Sequence, residues 1–408
     1  MSKYIDLLRE HQGNDSKKET KPKATAHNPT ENPYREQEAT DTALIASIDE
    51  LLDEQQTTGI DADNLNELQE GEGEQLIAME QEDASPKPFA PKADNKLGFD
   101  TSGWLEHVEQ TLVSMFSSVQ NNQAINISVL EEHLTILFDQ IQSSKPLLDE
   151  LEFLVHQRNE GNMDAYHHAD LVAQSLVLLV YSIKTGLQLQ KSLPELLPTV
   201  TASMLRHMGF SSIPSDERSG VPPFSDMAKR QAEQATEFTL EYLDTHQLNH
   251  EQLTITLKQY GECFDGTGPQ GLEGRDIAWV ARLTSAIAAF ESLTSIYAAE
   301  RMLPRDAIRD IVKNHKKRFD SQIIKAMIDG ISLYPVAIFI QLNTGEIGQV
   351  INVHPQSPLR PIVHISMDKH GQPASERNID LKKQPNIMIQ KCMFDGKAHS
   401  TEEETLDA

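Results

Sequence analysis

The stretch "ECFDGTGPQGLEGRDI", residues 262–277, carries four glycines and one proline between two apolar, helix-like segments. Glycine clusters of this kind let the backbone turn tightly and approach a ligand closely. The loop is therefore the first place to look for a phosphate cradle. Working outward, "HEQLTITLKQY" precedes it and "DIAWVARLTSAIAAFESLTSIYAAERM" follows, both with apolar residues at helical spacing.

The helical period extends well beyond the loop. In "FDTSGWLEHVEQTLVSMF" the residues Trp104, Leu105, Val108, Leu112, Met115 and Phe116 form one stripe. Similar stripes recur in "ISVLEEHLTILFDQI" and "SKPLLDELEFLVHQR", with "SSVQNNQA" and "QSSKP" as breaks. "ADLVAQSLVLLVYSIKTGLQL" and "LPELLPTVTASMLRHMGF" are apolar nearly all round, which predicts helices at the centre of a bundle. "MAKRQAEQATEFTLEYL", "PRDAIRDIVKNH" and "DSQIIKAMIDGI" continue the pattern. After Leu333 the period switches to two: "PVAIFIQLNTGEIGQVINV" and "RPIVHISMD" read as strands, with "NTGE" as a hairpin turn. The fold class expected is mainly α, a helical bundle closed by a small C-terminal β appendage.

Composition places the rest. The chain has 408 residues, room for about two to three domains. Its formal net charge is −26, and residues 1–100 hold 23 acidic and 10 basic side chains, so half of it (10 − 23 = −13) lies in the first quarter. Such a balance offers no basic face for nucleic acid or an anionic membrane. Residues 11–97 are rich in Asn, Asp, Glu, Gln, Thr and Pro, and read as disordered. Two amphipathic islands, Lys3–Glu10 and Thr42–Glu54, are expected to be short helices, with or without a partner's groove to fold on. With two cysteines, Cys263 and Cys392, no signal-type h-region and no run near 18 apolar residues, the expectation is a cytoplasmic protein without membrane insertion. The domains expected are a disordered acidic arm (1–97), a helical region (98–157), a helical domain (158–332), the β appendage (333–395) and an acidic tail (396–408).

In order, "YHHADLVAQ", "MLRHMGFSSIP", "ECFDGTGPQGLEGRDI", "ARLTSAIAAFESLTS" and "YPVAIFIQLNTGEIGQVINV" resemble the HD-GYP domain, the helical cyclic di-GMP phosphodiesterase branch of the HD superfamily, from about Glu150 to Met393. The resemblance implies a cluster of His and Asp side chains around two or three iron or manganese ions, which activate a water and clamp a phosphodiester. Position by position, the family's first histidine falls on His168, with His167 as the other register, and its "HD" pair falls on Arg206 and His207. The lysine of that motif is Phe210, and the next histidine falls near Arg230 or Gln231. The paired histidines before the loop fall on Tyr260 and Gly261, and the final aspartate on Ala288. The signature DGxGYPxGL reads Asp265-Gly266-Thr267-Gly268-Pro269-Gln270-Gly271-Leu272, without its tyrosine, and the two arginines usual for ligand phosphate fall on Cys263 and Tyr297.

By this reading His168 and His207 are the remnant of a metal site, and Glu262, Asp265, Gly266 and Gly268 the remnant of a ligand pocket. Each also has a structural reading. His168 and His207 sit on apolar helices, where a histidine is commonly a hydrogen-bonded core residue. Asp265 can simply turn and cap its loop. The expected function is a catalytically degenerate HD-GYP-like protein, with no catalytic residues and no cofactor, that binds a protein partner through its acidic arm or helical surface in bacterial cyclic di-GMP-linked signalling. Two alternatives stay open: a non-hydrolysing cyclic di-GMP sensor, and a phosphodiesterase holding iron, manganese or zinc with His167, His168, His207 and Glu262. No Walker-type loop, GxSxG or CxxC competes.

Overall fold

Helix by helix, capping and apolar stripes decide where the chain turns in the computed structural model, which describes residues 99–394 apart from 145, 162–167 and 356. The amphipathic islands Lys3–Glu10 and Thr42–Glu54, the acidic tail and His167 lie outside the described residues. Helix α1 (Thr101–Gln120) starts where the Asp100 carboxylate accepts the Gly103 N–H, at 2.9 Å, and buries the stripe from Trp104 to Val119. Asn126 caps α2 (Ile127–Ser143) in the same way, and Pro146 precedes α3 (Leu147–Gly161). Helix α4 (Ala169–Gln188) has the length and apolarity of a membrane span, but it is buried inside the bundle, against α3, α5, α9 and α11. A capping box joins Ser192 to Glu195 at the start of α5 (Leu193–Leu205).

The second half of the bundle holds the short α6 (Ser215–Arg218), α7 (Asp226–Thr245), α8 (Glu251–Lys258), α9 (Trp279–Thr294), α10 (Pro304–Asn314) and α11 (Ser321–Ile331). One continuous apolar core runs from Trp104 through these helices into the sheet.

The sheet is antiparallel with strand order β4-β3-β2-β1-β5, from β1 (Phe339–Leu342), β2 (Ile347–Asn352), β3 (Ile362–Met367), β4 (Pro373–Asp380) and β5 (Ile389–Met393). The "NTGE" hairpin forms as expected: Leu342 N–H donates to the Glu346 carbonyl at 2.9 Å, and Gly345 supplies the left-handed φ of 84° that the turn requires. Period-two alternation divides the faces. Ile340, Leu342, Val350, Val363 and Ile365 join the helical core, whereas Phe339, Ile347, Met367 and Met393 form a separate small cluster. The sheet is tied to the bundle by the Asn352 amide, which donates to Asp149 on α3.

Several local expectations need correction. The helix read through Met302 stops at Thr294, because Arg301 Nε and Met302 N–H fold back onto the Thr294 and Leu293 carbonyls and end the ladder. The break after α1 begins only at Asn121, so Ser117–Gln120 are helical, and α2 likewise runs on through Gln142 and Ser143 of "QSSKP". Neither His168 nor His207 lies within a helix. His168 is the residue before α4 with a left-handed φ of 65°, and His207 sits in the joint between α5 and the 3₁₀ turn Met208–Ser212. Strands β4 and β5 were not legible, since "PASERNID" is polar and largely exposed at the sheet edge.

Candidate functional site

Between α4, α5, α7 and α9 lies a cleft with two adjoining chambers of about 500 and 410 Å³. They share His207, Pro223, Ala228, Tyr260 and Ser292 as a common wall. The positions singled out along the sequence converge here. His168, Gln231 and Tyr297 line the larger chamber; Arg206, Gly261, Glu262, Cys263, Gly268 and Ala288 line the smaller. Asp265 and Gly266 are in neither lining.

His168 is buried, and both its ring nitrogens are engaged. Nε2 faces the Gln120 amide oxygen at 3.3 Å, and Nδ1 faces the Arg218 guanidinium at 3.4 Å. Since guanidinium only donates, Nδ1 is the acceptor and Nε2 carries the proton, a neutral ring held in one tautomer. Arg218 is itself fixed by Asp170, with Nε and Nη2 donating to the two carboxylate oxygens at 2.6 and 2.8 Å. His207 is buried with its ring edge-on to Phe210, and burial, reinforced by the Arg206 charge, pushes its pKa well below the usual range.

Arg206 is the unexpected element. Its side chain is 6% exposed; Nη1 donates to the Thr284 carbonyl at 3.1 Å, and the guanidinium lies over the Tyr260 ring at 4.6 Å. A fixed cation thus sits among the positions where the resemblance implies cation-binding side chains. Behind it on α9, Glu291 is buried, and desolvation raises its pKa to about 7 against the weaker pull of Ser295 and Arg206.

The glycine loop has turned its polar groups inward. The Glu262 carboxylate accepts Gln270 N–H at 2.7 Å and Leu272 N–H at 3.1 Å, stapling the loop to its own stem. Asp265 accepts Thr267 N–H at 3.2 Å and Thr267 Oγ1 at 2.6 Å, the turn-and-cap role. Gly266 takes a φ of 76°, and a Cβ on Gly268 would stand 2.6 Å from Glu262 Cα, so both glycines serve the backbone path.

Comparison with known proteins agrees with this architecture. Residues 141–323 match the HD domain family, and residues 339–401 match the KOW domain associated with HD domain. The chain is 25% identical over 279 residues to cyclic di-GMP phosphodiesterase PA4108 of Pseudomonas aeruginosa, covering 66% of this chain and 63% of that protein. It is 24% identical over 208 residues to cyclic di-GMP phosphodiesterase PdeB of Borreliella burgdorferi, covering 49% and 52%. The chain carries an HD domain. It spans less than two thirds of the length of either relative. Among solved structures, a HDG"Y"P protein of Bdellovibrio bacteriovorus, Bd1817, aligns with a TM-score of 0.45 at 14% identity over 58% of this chain and 74% of that one.

HD-domain phosphodiesterases use metal ions, and the side chains of this HD domain offer a poor donor set for one. Among the described residues, no group of three or more His, Cys, Asp and Glu side chains is placed to hold a metal. Stable sites need three or four such ligands. The lone pair of His168 is spent on Arg218, Glu262 on two backbone amides, and Arg206 brings a positive charge to the place. The described residues therefore do not fit a metal centre.

Reading the sequence alone missed Arg206 as a charged platform, the Arg218–Asp170 clamp and Glu291. Glu291 had a signal: it lies three residues after Ala288, hence on the same helix face, in a stripe otherwise apolar. The Arg218 contacts, 48 residues from Asp170, had none.

Proposed function

We propose that this HD-GYP-like chain acts by binding rather than by metal-dependent hydrolysis, as a protein-binding regulator in bacterial cyclic di-GMP-linked signalling. The observation that carries the reading is Arg206, buried over Tyr260 where the family resemblance puts metal ligands. A metal ion next to a fixed guanidinium would meet like-charge repulsion in a poorly solvated site, and the side chains that should offset it are absent or spent. The retained HD scaffold then serves as a surface, and the acidic arm (1–97), with its −13 within the first 100 residues, as the segment that engages a basic partner.

The two curated relatives are phosphodiesterases, which gives the hydrolytic alternative its weight. Metal analysis of the full chain and a cyclic di-GMP hydrolysis assay with added manganese or iron separate the readings. We expect substoichiometric metal and no turnover. Stoichiometric metal with turnover that His207→Ala abolishes would sink the regulator reading and establish the atypical ligand set.

A further inference from the structure

One stretch of this acidic chain is basic. At the end of α10 and in the 3₁₀ turn after it, residues 313–318 read Lys-Asn-His-Lys-Lys-Arg, four cations in six residues with no acid among them. Lys313, Lys316, Lys317 and Arg318 are all exposed, and among the described residues none of the four forms an ion pair. The helix dipole accounts for Lys313 alone, in the last turn; the other three lie beyond it. The ledge they form has a fixed backbone, since Phe264 and Asp265 N–H donate to the Arg318 and Lys317 carbonyls at 3.0 and 3.1 Å. The Phe224 ring holds it from the other side, with the His315 ring at 4.2 Å and the Arg318 guanidinium at 5.2 Å. Neighbouring carboxylates are engaged elsewhere: Asp310 accepts the Asn314 amide, and Asp265 accepts Thr267 Oγ1. On α7, Lys229 and Arg230 are matched in number by Asp226 and Glu233, so the excess lies on the ledge.

We propose that this ledge is the docking site of the chain's own N-terminal arm, through the acidic run 36–86. That run holds 16 Asp and Glu and no Lys or Arg, so its charge is the complement of the ledge's. Apolar chemistry agrees: Met227, three residues beyond Phe224, is 48% exposed, and the run carries Leu76, Ile77 and Met79 between Glu74 and Glu80. Reach is sufficient as well. The 15 residues 84–98 join the run to Phe99, and that length of chain extends up to about 50 Å, the width of a body of this size. Tethering raises the arm's effective concentration at the ledge to about the millimolar range, which favours it over a second copy in dilute solution. Nucleic acid carries the same sign of charge, but the chain's net charge of −26 repels a free polyanion. A basic partner of the arm then has the ledge as its competitor. The docking stands apart from whether the cleft hydrolyses anything.

The test is zero-length carbodiimide cross-linking of the full chain, mixed equally with an isotope-labelled copy and read by mass spectrometry. Bonds are expected from Lys313, Lys316 or Lys317 to carboxylates within 36–86 of the same chain, forming at about 0.05 M salt and lost at about 0.5 M, where charges are screened. In parallel, Lys316→Glu combined with Lys317→Glu should speed cleavage within 36–86 by a Glu-specific protease roughly two- to thirtyfold at fixed salt, as for two exposed ion pairs lost. Should that variant fail to fold, the cross-links of the unmodified chain decide alone. The docking is overturned if those lysines bond to no carboxylate of the run at low salt, or if the folded variant's arm is cut at the parent rate. Bonds that join the two isotopic forms would overturn it in favour of a second copy. With equimolar single-stranded RNA added, the arm's cross-links should persist; their loss would give the ledge to nucleic acid instead. None of these outcomes touches metal content or turnover, so the docking and the proposed function fail separately.

Discussion

Replacing Glu291 by Gln should stabilise this protein in alkaline solution and leave it unchanged in acid. Glu291 is 3% exposed, and burial lifts its pKa from the ordinary 4.5 to about 7, more than the Arg206 charge and the Ser295 hydrogen bond pull it back. An acid whose folded-state pKa lies above its unfolded value binds its proton more tightly when native. The stabilisation it gives is complete below about pH 4.5 and is lost as the pH rises to about 7. At about 1.4 kcal/mol per pH unit, the difference between 4.5 and about 7 amounts to roughly 3 kcal/mol. Glutamine keeps the shape and cannot ionise, so it escapes that loss. Urea unfolding followed by circular dichroism at pH 5, 7 and 8.5 should show the Glu291→Gln advantage growing to roughly 3 kcal/mol at the highest pH. A variant that is less stable at pH 8.5 would mean that Glu291 is ionised and paired with Arg206, and a difference from the parent chain that ignores pH would mean that burial does not raise its pKa. The buried-cation reasoning would then fall with it.

Other consequences concern the buried ion pairs, the glycine loop and the thiols. Lys184 is buried between Asp149 and Glu152, so Lys184→Met should strand two carboxylates and cost about 3–5 kcal/mol in chemical denaturation; an unchanged midpoint would show the pair to be solvated. A Cβ on Gly268 meets the Glu262 backbone at 2.6 Å, so Gly268→Ala should lower stability by about 1–3 kcal/mol and expose the 262–277 loop to limited proteolysis; protease resistance equal to the parent would contradict the close approach. Desolvation pushes the pKa of the half-buried Cys392 thiol up to about 12, and Cys263, in the stem of the loop, is buried. At pH 8 Cys392 should therefore react slowly with a disulfide reagent for want of thiolate, and Cys263 only as fast as the chain opens; a thiol modified within the mixing time would refute this.

The helical body was legible because its signals are local. The stripe in α1, the capping box before α5 and the switch to period two after Leu333 each lie within a few residues of sequence. The glycine loop was legible too, and its structural reading held: Asp265 bonds Thr267, two residues away. Helix α9 was read too long because the groups that end it, Arg301 and Met302, return from beyond its end to the Thr294 and Leu293 carbonyls. The polar strands β4 and β5 gave no sign, because an edge strand is defined by its neighbour's hydrogen bonds rather than by its own apolar pattern.

For the cleft the division is sharper. Sequence by itself determined which residue types stand at each position of the HD-GYP resemblance: Arg206, His207, Tyr260 and Ala288 in place of a ligand set. Only the tertiary structure decided that these positions share one cleft and that His168 gives its lone pair to Arg218, 50 residues away. It also decided that Arg206 lies buried with an unused donor. The physical reason is that a charge's meaning depends on its surroundings. An arginine in water is screened, whereas one enclosed beside an aromatic ring and a carbonyl keeps its field.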